Sequence, residues 1–334
     1  MKRFICALCA FVLCLPLCGC GGEKMAEHLF FAMDTVITLR LSPDADKARM
    51  AEIFAEVESI TAEIAESLSR THTRGDTHRF NEGTDGITEV SDTFRAVLLR
   101  ASEIAADTDG TFSPAMGTLT DLWNVNGGGP VPAEEAIAEA LSHTDLRTVI
   151  PKENGASKTD SALRLDFGAI GKGYAAQKVL EYLRTTEIRY GLVSFGGNVG
   201  VFGEKPDGTP FKIGLTDPRN TSRTAGYLLA ETGFVSVSGD YERYFEEGGV
   251  RYHHILDPQT GYPAQSGLAS VAVFSTDGAL ADALSTALFV MGEEKALAYY
   301  EAHAGEFEAV LITNEQKIIL TSGLTREGRF IPEE

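Results

Sequence analysis

The sequence predicts an α+β protein in which helices pack against largely antiparallel sheets. Short runs rich in β-branched and aromatic residues follow one another between residues 191 and 275, separated by turn residues. Segments with helical periodicity flank this region, and no tandem repeat or low-complexity run occurs. The chain has 334 residues, 43% of them hydrophobic, so it can bury a large core and is too apolar to be disordered.

The first predicted elements are a strand over residues 30–41, where apolar and polar residues alternate, and a helix over residues 46–68. The apolar residues of this helix fall on one stripe: Ile53, Val57, Ile60, Ile64 and Leu68. Residues 71–86 are polar and contain glycine, which predicts a loop. Ser91 is a typical N-cap for a helix that ends near Ala106.

Residues 109–132 are rich in glycine and proline and predict a long loop, of the kind that usually carries function. Pro132 and the acidic residues after it predict a helix over residues 133–141. The remaining predicted helices span residues 170–183, 280–291 and 293–302. The remaining predicted strands lie near Val149 and over residues 162–167, 191–195, 199–202, 211–215, 227–231, 234–238, 251–256, 268–275, 310–313 and 317–320.

The charge balance excludes two classes of partner. Lys plus Arg total 29 and Asp plus Glu total 48, which gives a formal net charge of −19. A broad nucleic-acid surface needs clustered positive charge, so we expect no nucleic-acid partner. Electrostatic docking on anionic lipid is disfavoured for the same reason.

The N-terminus predicts a lipoprotein. A short basic start precedes an apolar run over residues 4–17, and the sequence Leu17-Cys18-Gly19-Cys20 follows. We interpret residues 1–19 as a signal peptide, residues 20–28 as a linker that begins with a lipidated Cys20, and residues 29–334 as the folded domain. The alternatives are an uncleaved anchor or a cysteine-rich start. The lipoprotein interpretation predicts an extracytoplasmic protein anchored to a bacterial membrane by its lipid.

The segment Asp166-Phe167-Gly168-Ala169-Ile170-Gly171-Lys172-Gly173 passes from a predicted strand through glycine turns into a helix. Free N–H groups at a helix start bind phosphate, and Lys172 adds a positive charge. The segment is not a P-loop, because Gly173 stands where Ser or Thr would follow the lysine. The alternative is a tight turn with a surface lysine.

His253 and His254 are neighbours on a predicted strand, so their side chains point to opposite faces and only one can line a given site. A histidine at this position is a reasonable general base near neutral pH. The alternative is a structural histidine that is hydrogen-bonded within the following turn.

Asp282, Ser285 and Thr286 share one helix face, because they are spaced i, i+3 and i+4. A carboxylate with two hydroxyls is an all-oxygen donor set that suits Mg²⁺ better than Zn²⁺. The alternative is a polar, capped first turn. Together with Lys172 and the helix starts, such a cation would give an acidic protein the local positive field that a diphosphate ligand needs.

The chain resembles the ApbE family of FAD:protein FMN transferases over roughly residues 30–320. The resemblance rests on ordered motifs: Ala32-Met33-Asp34-Thr35, Leu68-Ser69-Arg70 through Arg79-Phe80-Asn81, Asp109-Gly110-Thr111-Phe112-Ser113-Pro114 to Leu122-Trp123, DFGAIGKGYA from Asp166, SFGGN from Ser194, SVSGDYER from Ser236, YHHILDPQTGYPA from Tyr252 and ADALSTALFVMG from Ala281. It implies a fold related to the T-fold and transfer of FMN from FAD to a Thr or Ser hydroxyl of a target flavoprotein, with release of AMP.

The resemblance also implies roles for individual residues. His254 would be the general base, and the lipid-anchored enzyme would act on an extracytoplasmic flavoprotein such as a membrane redox-pump subunit. The implied ligands of Mg²⁺ are the Ala169 carbonyl, Asp282, Ser285 and Thr286. The implied contacts to FAD are Met33, Thr111, Phe112, Ser113, Asp166, Lys172 and the Leu256 backbone, with Thr71 beside the flavin.

Two residues depart from the family pattern. Asp34 replaces the glycine that commonly follows the methionine, and Thr71 stands where many members carry an aromatic residue. A small residue at position 71 would admit water to the diphosphate, so an Mg²⁺-dependent FAD pyrophosphatase is a second hypothesis. A flavin-binding lipoprotein without turnover is a third.

Overall fold

The computed structural model describes residues 24–84 and 86–333, so the predicted signal peptide and Cys20 lie outside the described residues. The α-helices of this part are α1 (Lys47–Leu68), α2 (Asp76–Glu82), α3 (Asp92–Asp107), α4 (Gly117–Trp123), α5 (Glu134–Ser142), α6 (Gly171–Leu183), α7 (Gly278–Ala302) and α8 (Ser322–Glu327). The strands are β1 (Ala26–Ala32), β2 (Thr35–Leu41), β3 (Thr88–Glu89), β4 (Val149–Lys152), β5 (Gly155–Lys158), β6 (Gly191–Phe195), β7 (Asn198–Phe202), β8 (Phe211–Asp217), β9 (Asn220–Ala230), β10 (Gly233–Gly239), β11 (Tyr244–Glu247), β12 (Val250–His253), β13 (Leu268–Ser275), β14 (Phe307–Thr313), β15 (Ile318–Leu320) and β16 (Phe330–Pro332).

The main sheet has eight strands in the order β1-β2-β6-β7-β10-β13-β14-β15. Every neighbouring pair in it is antiparallel, which confirms the predicted α+β class. Helices α1, α6 and α7 pack on one face, and α3 packs against α1 and α7. The small antiparallel sheet β16-β9-β8 covers the other face with its own apolar cluster. The main sheet is therefore buried on both faces at its centre.

A third apolar cluster joins α4 and α5 to the two-stranded sheet β11-β12. Trp123 is fully buried in it, and its indole N–H donates to the Gly261 carbonyl at 2.7 Å. This contact ties α4 to the segment that follows β12. The cluster thereby fixes the position of the two neighbouring histidines at the end of β12.

Several predicted elements are confirmed. Asp46 and Ser91 cap α1 and α3, because their side chains accept from backbone N–H groups at 2.9 and 3.2 Å. The predicted helices 280–291 and 293–302 occur as one helical segment with a kink at Gly292, whose φ is 76°. The hairpin of β14 and β15 also lies where it was predicted.

The predicted strand over residues 30–41 is wrong as a single strand, because the chain turns back at Met33 and Asp34. Both residues have positive φ, 50° and 58°, and neither is the Gly or Asn that usually marks such a turn. β1 begins at Ala26, inside the segment predicted as linker. The sequence signal failed here because Met33 rarely adopts this conformation and no glycine follows it.

Two predicted loops contain helices, since residues 71–86 include α2 and residues 109–132 include α4. The predicted strand over residues 162–167 is absent from the described structure. Instead, the Asn81 side chain bonds both the N–H and the carbonyl of Leu165 at 2.7 and 2.9 Å. The Asn81 side chain therefore makes the backbone hydrogen bonds that a neighbouring strand would make if residues 162–167 formed a strand. β12 ends at His253, before the predicted end at Leu256.

Within the described part of the chain, none of the helices is both long enough and apolar enough to cross a bilayer.

Candidate active site

The starts of α6 and α7 meet beside one end of the main sheet. The turns after β1 and β6 lie at this end, and the Val237 N–H donates to the Gly197 carbonyl at 3.1 Å. A Cβ on Gly173 would stand 2.1 Å from the Gly278 carbonyl oxygen. Any side chain at position 173 would push the two helices apart, so glycine is required for this close crossing.

Asp282 is 5% exposed and joins the two helices. Its Oδ2 accepts from the Gly173 N–H at 2.8 Å, and it also accepts from the Lys172 N–H and the Asn198 side chain. Burial raises the pKa of Asp282, whereas the charge of Lys172 and these N–H donors act in the opposite direction. The carboxylate thus caps the N-terminus of α6 from the neighbouring helix.

The cap on α6 frees a carbonyl. In a regular helix the Gly173 N–H would bond the carbonyl of Ala169, four residues earlier. Here that N–H bonds Asp282, and no backbone donor in the described residues reaches the Ala169 carbonyl. This oxygen is therefore available to a ligand.

Three hydroxyls gather beside Asp282. The Ser238 Oγ lies 2.8 Å from the Ser285 Oγ and 3.1 Å from the Thr286 Oγ1. The Ser285 hydroxyl donates to the Asp282 carbonyl at 2.8 Å. The structure thus brings Asp282, Ser285 and Thr286 together, as their spacing on one helix predicted. It adds Ser238, which sequence reasoning did not assign although its motif was noted.

His253 and His254 have different surroundings. His253 is 4% exposed, donates from Nε2 to the Ala264 carbonyl at 3.0 Å and accepts the Ile255 N–H at Nδ1, so both ring nitrogens are used. His254 has one ring bond, from Nδ1 to the Arg243 carbonyl at 3.2 Å. A carbonyl can only accept, so Nδ1 carries the proton and Nε2 is left with its lone pair.

The His254 ring is neutral over the physiological pH range. Burial, with a smaller contribution from the charge of Arg243, lowers its pKa to about 3. The side chain is nevertheless partly exposed rather than enclosed in the core. A neutral imidazole with a free Nε2 is chemically able to accept a proton there.

Lys172 connects these groups electrostatically. Its charge acts on His254, on Asp282 and on Glu242, whose pKa is raised by burial. The Lys172 ammonium donates to the Gly168 carbonyl at 3.3 Å, within the turn that precedes α6. The ammonium and the N-terminus of α6 therefore form a local positive field in a strongly acidic chain.

The ApbE family model matches residues 33–311. The FAD:protein FMN transferase of Treponema pallidum is 31% identical over 96% of this chain and 95% of its own length. The chain belongs to the ApbE family. The crystal structure of the ApbE protein of Thermotoga maritima matches with a TM-score of 0.84 and 31% identity over 93% of this chain and all of that one. The apo flavinyl transferase ApbE of Pseudomonas stutzeri matches with a TM-score of 0.80 and 31% identity, covering 91% of this chain and 96% of that one.

The Mg²⁺ that the ApbE resemblance implies fits the residues present. The donor set is one carboxylate, the hydroxyls of Ser285 and Thr286, and the free Ala169 carbonyl, all hard oxygen atoms of the kind that Mg²⁺ prefers. A carboxylate has about four lone-pair sites, and the three N–H donors to Asp282 leave one for a cation.

Asp166 is held by a residue that the sequence did not single out. Its Oδ1 accepts the Gly168 N–H at 2.8 Å, and its Oδ2 lies 3.3 Å from the Nε of Arg70. The Arg70 guanidinium also bonds Asp121 at 2.8 Å. Arg70 stands in one of the ApbE-like motifs, but nothing in the sequence showed that it would fold back onto Asp166.

The remaining predicted FAD contacts differ in accessibility. The Met33 Cε lies at the start of α6, 3.6 Å from the position that a Cβ on Gly171 would take. Phe112 is 2% exposed and Leu256 is 8% exposed, so these two residues could contact a ligand mainly through their backbones. Thr111, Ser113 and Thr71 remain at least partly exposed.

The hydroxyls of the 111–113 segment hold its own turn. Thr111 donates to the Thr108 carbonyl at 2.9 Å, and the Ser113 Oγ accepts the Ala115 N–H at 3.1 Å. The turn depends on Asp109, whose φ is 49°. These bonds keep the segment in one conformation beside α4.

Proposed function

We propose that this chain transfers FMN from FAD to a Thr or Ser hydroxyl of a target flavoprotein and releases AMP. The observation that carries the proposal is the neutral His254, whose Nε2 is unprotonated. The positive charge of Lys172 acts both on this ring and on the Asp282 carboxylate. A base and a cation-binding carboxylate are the two elements that phosphoryl transfer to a hydroxyl needs. The curated relatives from Treponema pallidum and Vibrio cholerae are named FAD:protein FMN transferases.

In the proposed reaction the acceptor hydroxyl oxygen attacks the phosphorus of the FMN half of FAD. The His254 Nε2 takes the hydroxyl proton, a new P–O bond forms, and the bond from this phosphorus to the bridging oxygen breaks. The bridging oxygen leaves with AMP. The Nδ1–H bond to the Arg243 carbonyl keeps the ring in the tautomer that this step requires.

The diphosphate would lie against the N-terminus of α6 and Lys172. Met33, Thr111, Phe112, Ser113, Asp166 and Leu256 would position the rest of FAD, with Thr71 at the flavin. Ala169, Asp282, Ser285 and Thr286 would hold Mg²⁺, which when bound neutralises charge on the diphosphate and on the leaving AMP.

The test is incubation of the chain with FAD, Mg²⁺ and an extracytoplasmic flavoprotein acceptor, with intact-protein mass spectrometry of the acceptor. We expect a covalent FMN adduct that requires Mg²⁺ and disappears with a chelator. An acceptor that stays unmodified while FAD is recovered intact would instead support a flavin-binding protein without turnover.

A second candidate activity is hydrolysis of FAD to FMN and AMP. It is favoured by Thr71, which is exposed and carries a small side chain where an aromatic residue would shield the flavin site. Chromatography of the same reaction without acceptor separates the two activities, because only hydrolysis releases free FMN. Thr71→Tyr should then lower hydrolysis relative to transfer.

We also propose that Cys20 is lipidated and that the enzyme works outside the cytoplasmic membrane, on an acceptor such as a membrane redox-pump subunit. The support is the sequence pattern of residues 1–20. Membrane fractionation of cells that produce the wild type or Cys20→Ala tests this. The wild type should be found with membranes and the variant should be released; equal membrane association would contradict the proposal.

A further inference from the structure

Asn198 is a buried polar residue on β7 that faces Asp282. It is 2% exposed, and its side chain is a hydrogen-bond donor to the Asp282 carboxylate. Only the NH₂ group of an amide can donate, so this bond sets the orientation of the side chain. The Oδ1 atom then has no hydrogen-bond partner in the described structure.

Position 198 is a poor place for an amide if packing alone decides. A buried polar group with an unpaired oxygen lowers stability, whereas an apolar side chain of similar shape would leave nothing unsatisfied. Departures of this kind occur at functional sites, where an interaction elsewhere compensates. The compensating interaction here is the hydrogen bond to Asp282.

The donors around Asp282 restrict the carboxylate strongly. Gly173 and Lys172 hold it from the start of α6, and Asn198 holds it from the main sheet. We propose that Asn198 is a positioning residue that keeps Asp282 in the orientation in which one lone pair is left for the divalent cation. The proposal rests on the cation site of the proposed function. Partners of metal ligands typically change metal affinity by about 10- to 100-fold when they are removed.

Ser236 supplies a matched control. It lies directly opposite Asn198 on β10, is 1% exposed, and its hydroxyl is also without a partner. It has no hydrogen bond to Asp282. Loss of its hydroxyl therefore removes a buried unpaired group at the same depth without touching the carboxylate.

The experiment measures Mn²⁺ binding by electron paramagnetic resonance, with and without FAD, for the wild type, Asn198→Leu, Asn198→Ala and Ser236→Ala. Thermal unfolding is recorded for each chain. Asn198→Leu should unfold at the same or a higher temperature and bind Mn²⁺ about 10- to 100-fold more weakly. Asn198→Ala should show the same weaker binding, and Ser236→Ala should bind Mn²⁺ as the wild type does. Equal Mn²⁺ affinity in all four chains would overturn the proposal, and so would an equal loss in Ser236→Ala.

A second measurement is the Mg²⁺ dependence of FAD turnover. A positioning role predicts that Asn198→Leu needs more Mg²⁺ for half-maximal rate but reaches the wild-type rate at saturation, with an unchanged KM for FAD. A rate that excess Mg²⁺ does not restore would contradict this role. If Mn²⁺ binding responds as expected but no FMN is transferred, the proposed function fails and the role of Asn198 stands. If FMN is transferred but Mn²⁺ binding does not change in the Asn198 variants, the proposed function stands and the role of Asn198 fails.

Discussion

Asp240 and Asp282 are both buried near the same end of the main sheet, 8% and 5% exposed, but their partners differ in kind. The two oxygens of Asp240 receive the two arms of the Arg219 guanidinium at 2.8 and 2.9 Å. Asp282 receives only N–H groups and has no guanidinium or ammonium bonded to it among the described residues. Asp240 is therefore paired with a cation within the chain, whereas Asp282 is held by N–H groups, and the positive charge of Lys172 acts on it without a direct bond.

This difference separates a structural carboxylate from a ligand. The Arg219 guanidinium also donates to the Asn314 side chain at 2.7 Å, so the pair ties together the turns after β8, β10 and β14. It needs no further partner. Asp282 has hydroxyls beside it that could share a cation, and burial raises its pKa, so a cation bound there would stabilise the ionised form.

The difference between Asp240 and Asp282 is tested most strongly by neutralising each carboxylate in turn. Asp282→Asn should lower FMN transfer by about a thousandfold, because the cation stabilises several kcal/mol of transition-state charge. Asp240→Asn should lower thermal stability and keep most of the transfer rate. Rates at several Mg²⁺ concentrations measure both effects, and comparable losses of transfer in the two variants would show that the carboxylates do not differ in role.

His253 and His254 also differ in role, because both ring nitrogens of His253 are bonded within the chain and the Nε2 of His254 is free. His254→Gln should lower transfer by about a hundredfold or more while FAD still binds, because the free Nε2 is lost. His253→Gln should mainly destabilise the fold, since both of its ring nitrogens are bonded inside the chain. FAD affinity and transfer rate are measured separately for each variant. Unchanged transfer in His254→Gln would remove it as the base.

Removal of Arg219 tests whether the Asp240 carboxylate contributes to stability through this ion pair. Arg219→Ala leaves a buried carboxylate without its main partner, so the free energy of unfolding should fall by about 1–3 kcal/mol. The pair is partly exposed, which keeps the effect below that of a fully buried pair. Urea denaturation measures the change. A variant as stable as the wild type would show that Asp240 is not dependent on Arg219.

The smallest expected effect is a pH dependence of stability. His254 has its pKa lowered from 6.5 to about 3, so between these values the unfolded chain binds a proton that the folded chain does not. This contribution to stability is complete above about pH 6.5 and is lost as the pH falls towards 3. His254→Gln should therefore lose less stability between pH 7 and pH 5 than the wild type. Identical losses in urea midpoint would contradict the lowered pKa.

The fold was predictable where periodicity and end signals agree. α1 begins next to the predicted start at Asp46, α3 begins after the predicted cap Ser91, and the antiparallel strands follow their turns. The turn at Met33 and Asp34 was missed because Met33 rarely adopts a positive φ and no glycine marks the turn. Residues 162–167 were mistaken for a strand because side-chain bonding from Asn81 depends on the tertiary structure.

The site was predictable to the extent that it is local in sequence. Asp282, Ser285 and Thr286 converge because they share a helix face. His253 and His254 were predicted to share a strand, but β12 ends at His253, and His254 lies beyond it with different hydrogen-bond partners. Ser238 and Arg70 reach the site across large gaps in the sequence. The Ala169 carbonyl was named only through the ApbE resemblance, because the reason that it is free is a bond between Gly173 and another helix.

Anomalous diffraction from crystals of the chain soaked with Mn²⁺ and FAD would show directly whether Asp282 binds the cation. We expect a peak within bonding distance of the Asp282 carboxylate and the Ala169 carbonyl, with the phosphates of FAD beside it and the His254 Nε2 facing the FMN phosphorus. A Mn²⁺ peak at Asp240 or elsewhere, or bound FAD with no metal at Asp282, would contradict it.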